Sequence, residues 1–375
     1  MSRDRAKNEK KSGELQPVFL VLVLVLAAVL VILSLNGNIG QKLISKVRNA
    51  GPREVATDCF YFSPGKDPVF ADVSGGLACA SGSGLQVYDR TGAQTVNELF
   101  MMESPAIMSK NGRGVAYDIG GRELRMFDGS QVIFRLTSED PIISAEISES
   151  GRFAVCTGDS GYKGRVTVYS ETGDELFRWY SGEGYVLSAA LPASGNELAV
   201  LTVTERGSRL VRLHTDDEEY LVSTELPGEL LIDAAFTRKN AIAAIGETAF
   251  YVIKDNGDPV KTDFGGKYLR AYVLGEELNA AVLMDYRSGF AGQLTVFSDK
   301  GEETASCEVR DLVALSSAGR YAAVLTNDSL TVYDSSLYRV GSYRVSGFSD
   351  VIMRTDGTVA AAAENYAENF AGNGD

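Results

Sequence analysis

Few side chains in this 375-residue sequence have both the type and the spacing that catalysis needs. The single histidine, His214, lies in the apolar run "LVRLH", and Ser160 lies in "GDSG" at residues 158–161. A serine nucleophile needs a base such as histidine within hydrogen-bond reach, so these two residues would have to form the pair. A turn between two strands explains the glycines better. The sequence therefore predicts no Ser160 and His214 catalytic pair.

Metal and phosphate chemistry also lack their usual motifs. "KDNGD" at residues 254–258 is too short for a calcium loop and is typical of a hairpin turn. The sequence contains no glycine-rich phosphate loop, no H-E-x-x-H motif and no cluster of metal ligands. Asp216 and Asp217 cannot be told from an ordinary solvated turn. We therefore predict no catalytic residue, no metal site and no cofactor.

The four cysteines add little to this picture. Cys59, Cys79, Cys156 and Cys307 show no C-x-x-C spacing, and three of them lie in apolar, strand-like runs. Cysteines in such runs are typically small core residues. A disulfide between Cys59 and Cys79 remains an alternative if the domain is exported, since the closure argued below brings the two ends of the domain together.

One segment stands apart from an otherwise globular composition. Residues 17–35, "PVFLVLVLVLAAVLVILSL", carry no charge, and as a helix they would be roughly 28 Å long, about the thickness of a bilayer core. The run is longer than the apolar core of a secretory signal and lacks a small-x-small cleavage site. We expect an uncleaved transmembrane helix, with a basic tail at 1–16 and a juxtamembrane linker at 36–56.

Charge divides the chain in the same place. Residues 1–53 carry nine basic and three acidic side chains, whereas residues 54–375 carry 27 basic and 47 acidic, a net charge of −20. An acidic domain is repelled by nucleic acid, so we exclude a nucleic-acid partner. The positive-inside rule favours a single-pass membrane protein with a cytoplasmic N-terminus and an extracytoplasmic domain.

A repeat organises the rest of the chain. Seven β-branched and aromatic segments start 36 to 44 residues apart: "LQVYD" (85), "LRMFD" (124), "VTVYS" (166), "LVRLH" (210), "FYVIK" (250), "LTVFS" (294) and "LTVYD" (330). A second apolar run precedes each, and glycine-containing turns such as "YSETG" separate the runs. No helical periodicity appears, so each unit is a four-stranded antiparallel meander. Units of this size arranged radially form a β-propeller, an all-β fold.

The ends of the domain decide how many blades it has. Residues 350–370 supply three strands of a last unit, and "TDCFYF" at 57–62 is one strand without a unit. If that strand completes the last blade, the N-terminal strand closes the ring and removes its exposed edges. We expect a propeller at residues 57–370 with eight blades, seven being the alternative, followed by a tail at 371–375.

Several stretches carry a family resemblance. They are the N-terminal span, "GYKGRVTVYSETGDELFRWYSGEGYVLSAALPASGNELAVL" (161–201), "SSAGRYAAVLTNDSLTVYD" (316–334) and "RTDGTVAAAAENYAENF" (354–370). They resemble a bacterial family of membrane-anchored propellers, domain of unknown function 5711. The chain also resembles WD40-like and PQQ-like propellers, but no Gly-His and Trp-Asp pairs close its repeats. The resemblance implies fold and anchoring, and it implies no activity.

The longest connections predict a binding surface. In a meander the second-to-third loops and the blade-to-blade connections emerge on one face, and "TGDSGYKG" (157–164) and "WYSGEGY" (179–185) are both of this kind. Aromatic residues near a cation are typical of recognition surfaces. The loops of blades 4 and 6 emerge there too. The alternative is that Trp179 and Tyr180 pack between blades 3 and 4. The candidate binding residues are Tyr162, Lys163, Trp179, Tyr180, Glu183 and Tyr185.

Two functions fit this sequence. The first is a membrane-tethered, non-catalytic propeller that binds a protein or an envelope polymer at the bacterial cell envelope. The second is an envelope hydrolase or lyase with acidic residues at the entrance of the central channel. An enzyme of this shape needs a cluster of His, Asp, Glu or Arg there, and the sequence offers no identifiable cluster. We therefore expect the binding module.

Overall fold

A computed structural model describes residues 58–216 and 220–370, and its regular elements are 32 β-strands. Among these described residues there is no helix long and apolar enough to span a membrane. The expected transmembrane helix at 17–35, with the flanking tail and linker, lies outside them. The strands form eight four-stranded antiparallel sheets arranged as the eight blades of a propeller. Eight blades are therefore confirmed.

Blades 1 to 4 each consist of four consecutive strands. Their bounds are β2 Val69–Ala71, β3 Leu77–Ser81, β4 Gly84–Tyr88, β5 Gln94–Leu99; β6 Pro105–Lys110, β7 Arg113–Asp118, β8 Glu123–Asp128, β9 Val132–Thr137; β10 Ile142–Ile147, β11 Phe153–Thr157, β12 Gly164–Tyr169, β13 Glu175–Ser181; β14 Tyr185–Ala190, β15 Glu197–Thr204, β16 Gly207–His214 and β17 Tyr220–Pro227.

Blades 5 to 7 repeat this order, and blade 8 has three strands from the C-terminal end of the domain. Their bounds are β18 Leu231–Phe236, β19 Ile242–Gly246, β20 Ala249–Ile253, β21 Pro259–Asp263; β22 Tyr268–Val273, β23 Asn279–Met284, β24 Ala291–Phe297, β25 Glu303–Arg310; β26 Leu312–Ala318, β27 Tyr321–Thr326, β28 Ser329–Asp334, β29 Arg339–Arg344; β30 Asp350–Met353, β31 Val359–Ala362 and β32 Tyr366–Phe370.

The N-terminal strand closes the ring. β1 (Cys59–Tyr61) pairs antiparallel with β32, with Phe60 opposite Ala367. The predicted role of "TDCFYF" is therefore confirmed, because β1 is the outer strand of blade 8. All four cysteines lie in the described residues and none forms a disulfide, so the alternative of a Cys59 and Cys79 bridge is not realised. Burial raises the pKa of the Cys79 thiol to about 12.

Packing between blades explains the sequence pattern. Middle strands are covered on both faces by neighbouring blades, so β3, β19 and β20 are buried at every residue, whereas the outer strand β21 alternates between exposed and half-buried positions. Aromatic rings fill these interfaces: Phe250 of blade 5 stacks on Phe297 of blade 6 with centroids 4.5 Å apart. The continuous apolar runs in the sequence are therefore second and third strands.

The turns use glycine where the backbone requires it. Gly173, in the "YSETG" turn between β12 and β13, has φ of +93°, and a Cβ there would lie 2.2 Å from the Phe134 ring of blade 2. Both the left-handed conformation and the close approach exclude other residues. The turn glycine therefore serves the hairpin and the blade interface together.

The meander gives the propeller two different faces. The upper face carries the second-to-third loops of each blade and the connections to the next blade. The lower face carries the first-to-second and third-to-fourth loops. β1 is a fourth strand, so the chain enters the propeller at Asp58 on the lower face.

Candidate functional site

The two loops predicted to meet do so on the upper face of blades 3 and 4. In the β11–β12 loop the Asp159 carboxylate accepts hydrogen bonds from the backbone N–H groups of Gly161 and Tyr162, at 2.8 and 3.1 Å. The Lys163 N–H then donates to the carbonyl of Ser181, at the end of β13, at 2.8 Å. These bonds fix the first loop against the blade-to-blade connection.

Three of the candidate aromatics are exposed there. The rings of Tyr162 and Tyr180 contact each other with centroids 4.8 Å apart. The Lys163 ammonium lies 4.9 Å from the centroid of the Tyr185 ring and 3.4 Å from its hydroxyl oxygen. Tyr162 and Tyr185 are 52% and 61% exposed. The result is a tyrosine pair beside a cation–π pair, in which Tyr180 and Tyr185 lie on strands and Tyr162 and Lys163 lie on the β11–β12 loop.

Trp179 is placed differently. It is 7% exposed and belongs to a hydrophobic cluster with Val186 and Leu198 of blade 4. The alternative of packing between blades 3 and 4 therefore describes Trp179, while Tyr180, at 36% exposed, stays at the surface. Trp179 is therefore a packing residue between blades 3 and 4.

Glu183 has a partner that the sequence did not reveal. Its carboxylate lies 2.7 Å from Nη1 of Arg209, whose Nε lies 3.1 Å from Glu225. Arg209 lies inside β16, which the repeat pattern marks only as a third strand. The strand register, which places Arg209 opposite Glu225 of β17, would have identified this arginine as a pairing residue.

Among the described residues, the upper face carries most of the exposed large apolar side chains. Blade 6 contributes a second aromatic group, in which Tyr286 and Phe290 are each 75% exposed and the Arg287 guanidinium lies 5.6 Å from the Tyr268 ring. Fewer large apolar side chains are exposed on the described part of the lower face, namely Leu176, Tyr220, Leu221 and Tyr338. Those on the upper face are Tyr61, Leu99, Met101, Ile119, Tyr162, Tyr180, Tyr185, Leu230, Ile232, Tyr268, Tyr286 and Phe290.

The only serine–histidine pair considered above is separated by the fold. Ser160 lies in the β11–β12 loop on the upper face, whereas His214 ends β16 on the lower face. The two side chains therefore lie at opposite ends of the propeller and cannot share a proton. Within residues 58–216 and 220–370, no three His, Cys, Asp or Glu side chains come together as a metal site.

The innermost strands bring together a polar cluster that sequence reasoning missed. Lys110 of blade 2 contacts Glu146 of blade 3, with Nζ 2.8 Å from Oε1. Burial, followed by the negative charge of Glu146, raises the pKa of Asp233 in blade 5 to about 6. Each residue lies in an apolar strand of a different blade, so linear spacing gave no signal. The enzyme alternative requires acidic residues at the central channel, and Glu146 and Asp233 are the candidates for that role.

The closed ring of eight four-stranded blades defines the protein as a β-propeller, with an aromatic upper face as its candidate binding surface. The fold is similar to the C-terminal WD40 domain of Sif2, at TM-score 0.57 and 11% identity over 85% of this chain and 99% of that one. It is also similar to Saccharomyces cerevisiae Sqt1, at TM-score 0.59 and 12% identity over 84% and 99%. A eukaryotic initiation factor matches at TM-score 0.55 and 9% identity over 80% and 81%.

Identities this low show the fold alone. The family is shown by sequence: the chain belongs to the family of unknown function DUF5711, whose model matches residues 65–336. A search of curated proteins found no match for the sequence. The family resemblance inferred from the sequence is therefore confirmed.

Proposed function

We propose that this protein is a membrane-anchored, non-catalytic propeller that binds a partner protein or an envelope polymer through its upper face. The observation that carries the proposal is the concentration of exposed tyrosine, phenylalanine and aliphatic side chains on that face. Contiguous exposed apolar surface on a folded domain marks interaction sites, and aromatic side chains supply most of the energy in such contacts.

The point where the chain enters the propeller supports binding through the upper face. Asp58, the first described residue, precedes β1 at the lower face. The chain therefore enters the propeller at the face opposite the candidate surface. We propose a cytoplasmic N-terminus and an extracytoplasmic propeller at the bacterial cell envelope. Protease added to cells without a wall should digest the propeller, and complete protection would contradict this localisation.

Charge narrows the class of partner. The propeller region is strongly acidic, and the Glu183 carboxylate, although paired with Arg209, is 78% exposed beside the tyrosines. Tyrosine faces and carboxylates both favour cationic groups. A protein with exposed Lys or Arg side chains, or a polymer with amino groups, fits this surface, and nucleic acid does not.

The test compares matched triple variants of the full chain. Replacing Tyr162, Lys163 and Tyr185 by Ala should lower capture of the partner from the protein's own membranes at least tenfold, since each central aromatic contributes about 2 kcal/mol. The control replaces Leu176, Lys300 and Tyr338 by Ala, which removes similar exposed groups from the lower face. Equal loss in both variants, or none in the first, would contradict the proposal.

A second candidate is an envelope hydrolase or lyase that uses Glu146 and Asp233. The raised pKa of Asp233 favours it, because acid–base catalysis needs a carboxyl group tuned toward neutral pH. Glu146, in its ion pair with Lys110, supplies a second carboxylate. Glu146→Gln combined with Asp233→Asn should leave partner capture unchanged. If the natural chain degraded an envelope polymer and this double variant did not, the enzyme proposal would replace the binding module.

A further inference from the structure

A groove follows the outer part of blade 7 and reaches blade 8 at one end. One part, of about 910 Å³, is lined along the whole length of β29, from Arg339 to Arg344. A second part, of about 360 Å³, adjoins the first at Asp328 and Arg344. Its opposite wall is formed by alternate residues of β32, namely Tyr366, Glu368 and Phe370.

The outer edge of β29 has backbone groups available for pairing. The Val345 N–H donates to the carbonyl of Asp328 at 3.1 Å, on the side of β28. Backbone direction alternates along an antiparallel strand, so the N–H and C=O groups of Ser342 and Arg344 point away from β28. Within the described chain β29 has no strand on that side. Such an edge can accept an extended peptide as an additional strand.

The side chains of the groove define what would fit. Arg339 and Arg344 form no ion pair with any side chain in the described ranges, so both guanidinium groups are available to a ligand. These two cations line the groove together with two carboxylates, Asp328 and Glu368, in a domain that is otherwise strongly acidic. Phe348 packs against Tyr366 and Phe370 with centroids 5.8 and 6.1 Å apart, and it adds an aromatic wall.

We propose that this groove binds an extended, acidic segment of a partner protein as a fifth strand on β29. Carboxylates of the segment pair with Arg339 and Arg344, and one apolar side chain packs on Phe348. Backbone hydrogen bonds to Ser342 and Arg344 supply affinity, while the arginines select charge. The groove is separate from the aromatic loops of blades 3 and 4, so it would add a second contact to whatever binds the upper face.

The probe is a fluorescein-labelled hexapeptide, Glu-Val-Phe-Val-Glu-Thr, and its counterpart with Lys in place of both Glu. Anisotropy is measured with the full chain in detergent. The acidic peptide should bind about tenfold more tightly than the basic one, which corresponds to one charge-assisted hydrogen bond. Failure of both peptides to bind, or preference for the basic one, would overturn the proposal.

Proline scanning tests the pairing directly. Ser342→Pro removes an N–H that faces the groove and costs no hydrogen bond to β28, so acidic-peptide affinity should fall about tenfold. Glu308→Pro is the matched control: Asp311 N–H bonds to Phe290 on the β24 side, so the Glu308 N–H also points outward, from β25 of blade 6. Equal affinity in the two variants would overturn the proposal.

Two further variants keep the test decisive. If Ser342→Pro fails to fold, Arg339→Gln with Arg344→Gln should still lower acidic-peptide affinity about tenfold and leave basic-peptide binding unchanged. Affinity insensitive to both arginines would contradict the proposed charge selection. If the peptide binds only after residues 371–375 are removed, the chain's own tail is the occupant and the partner proposal is wrong.

Discussion

Arg354 of blade 8 and Asp72 of blade 1 join the two ends of the propeller, with Nε 2.7 Å from Oδ1 across 282 residues of sequence. The same guanidinium donates to the Gly76 carbonyl at 3.3 Å and to Asn369 at 2.9 Å. Arg354 is 6% exposed. Burial raises the pKa of Asp72 although Arg354 acts to lower it, so the carboxylate depends on this partner. The contact complements the β1–β32 pairing in closing the ring.

Removing this arginine should weaken closure. Arg354→Ala leaves Asp72 without its charge partner in a mostly buried position, and the free energy of unfolding should fall by about 2–4 kcal/mol. Arg113→Ala is the matched control, because Arg113 also bridges two blades through Glu171 but is more exposed, at 36%. Its cost should stay under about 1 kcal/mol. Chemical denaturation measures the free energy of unfolding of both variants. Equal losses would show that the Arg354–Asp72 ion pair has no special role in closure.

The N-terminal strand β1 should contribute strongly to the stability of the propeller. Phe60 of β1 is fully buried, in a cluster with Ile352 of blade 8 and Leu77 of blade 1. Phe60→Ala should lower the free energy of unfolding by about 3–5 kcal/mol through lost burial and the resulting cavity. Tyr61→Ala, at a neighbouring position that is 75% exposed, should cost less than about 0.5 kcal/mol. A stable Phe60→Ala variant would show that β1 is dispensable for the fold.

The fold was largely predictable because it rests on local, repeated signals. The apolar run "FAVCT" at residues 153–157 is the fully buried second strand β11, and the turn at Gly173 forms the predicted hairpin. The strand "TDCFYF" could be assigned to blade 8 because the last unit lacked one strand.

The candidate surface was predictable only in part. Loop topology correctly brought Lys163 and Tyr185 together, but burial of Trp179 depends on the distance between two blades, which sequence spacing does not encode. Arg209, and the pairing of Lys110 with Glu146, depend on strand register and on contacts between different blades. Such contacts have no linear pattern, so only the structure reveals them.

The pH dependence of stability should report a buried carboxyl group in blade 8. Burial raises the pKa of Asp350 to about 6, while its carboxylate accepts the Val351 N–H at 2.7 Å. Because the folded state holds this proton more tightly, the corresponding stability is present at low pH and is lost as pH rises from about 4 through 6.

Asp350→Asn keeps the acceptor for Val351 and removes the charge. The variant should therefore be about 1 kcal/mol more stable than the natural chain at pH 7.5, with a smaller difference at pH 4.5. Thermal or urea unfolding at both pH values measures this. A difference that is the same at both pH values would contradict the assignment of the titration to Asp350.

Site-specific photo-crosslinking in living cells tests the central claim, binding through the upper face, most directly. A photoreactive phenylalanine analogue would replace one exposed side chain at a time, at Tyr162, Tyr185 and Tyr286 on the upper face and at Leu176 and Tyr338 on the lower face. We predict that the upper positions crosslink to one common partner and the lower positions do not. Crosslinks to that partner from Leu176 and Tyr338 alone would contradict the claim.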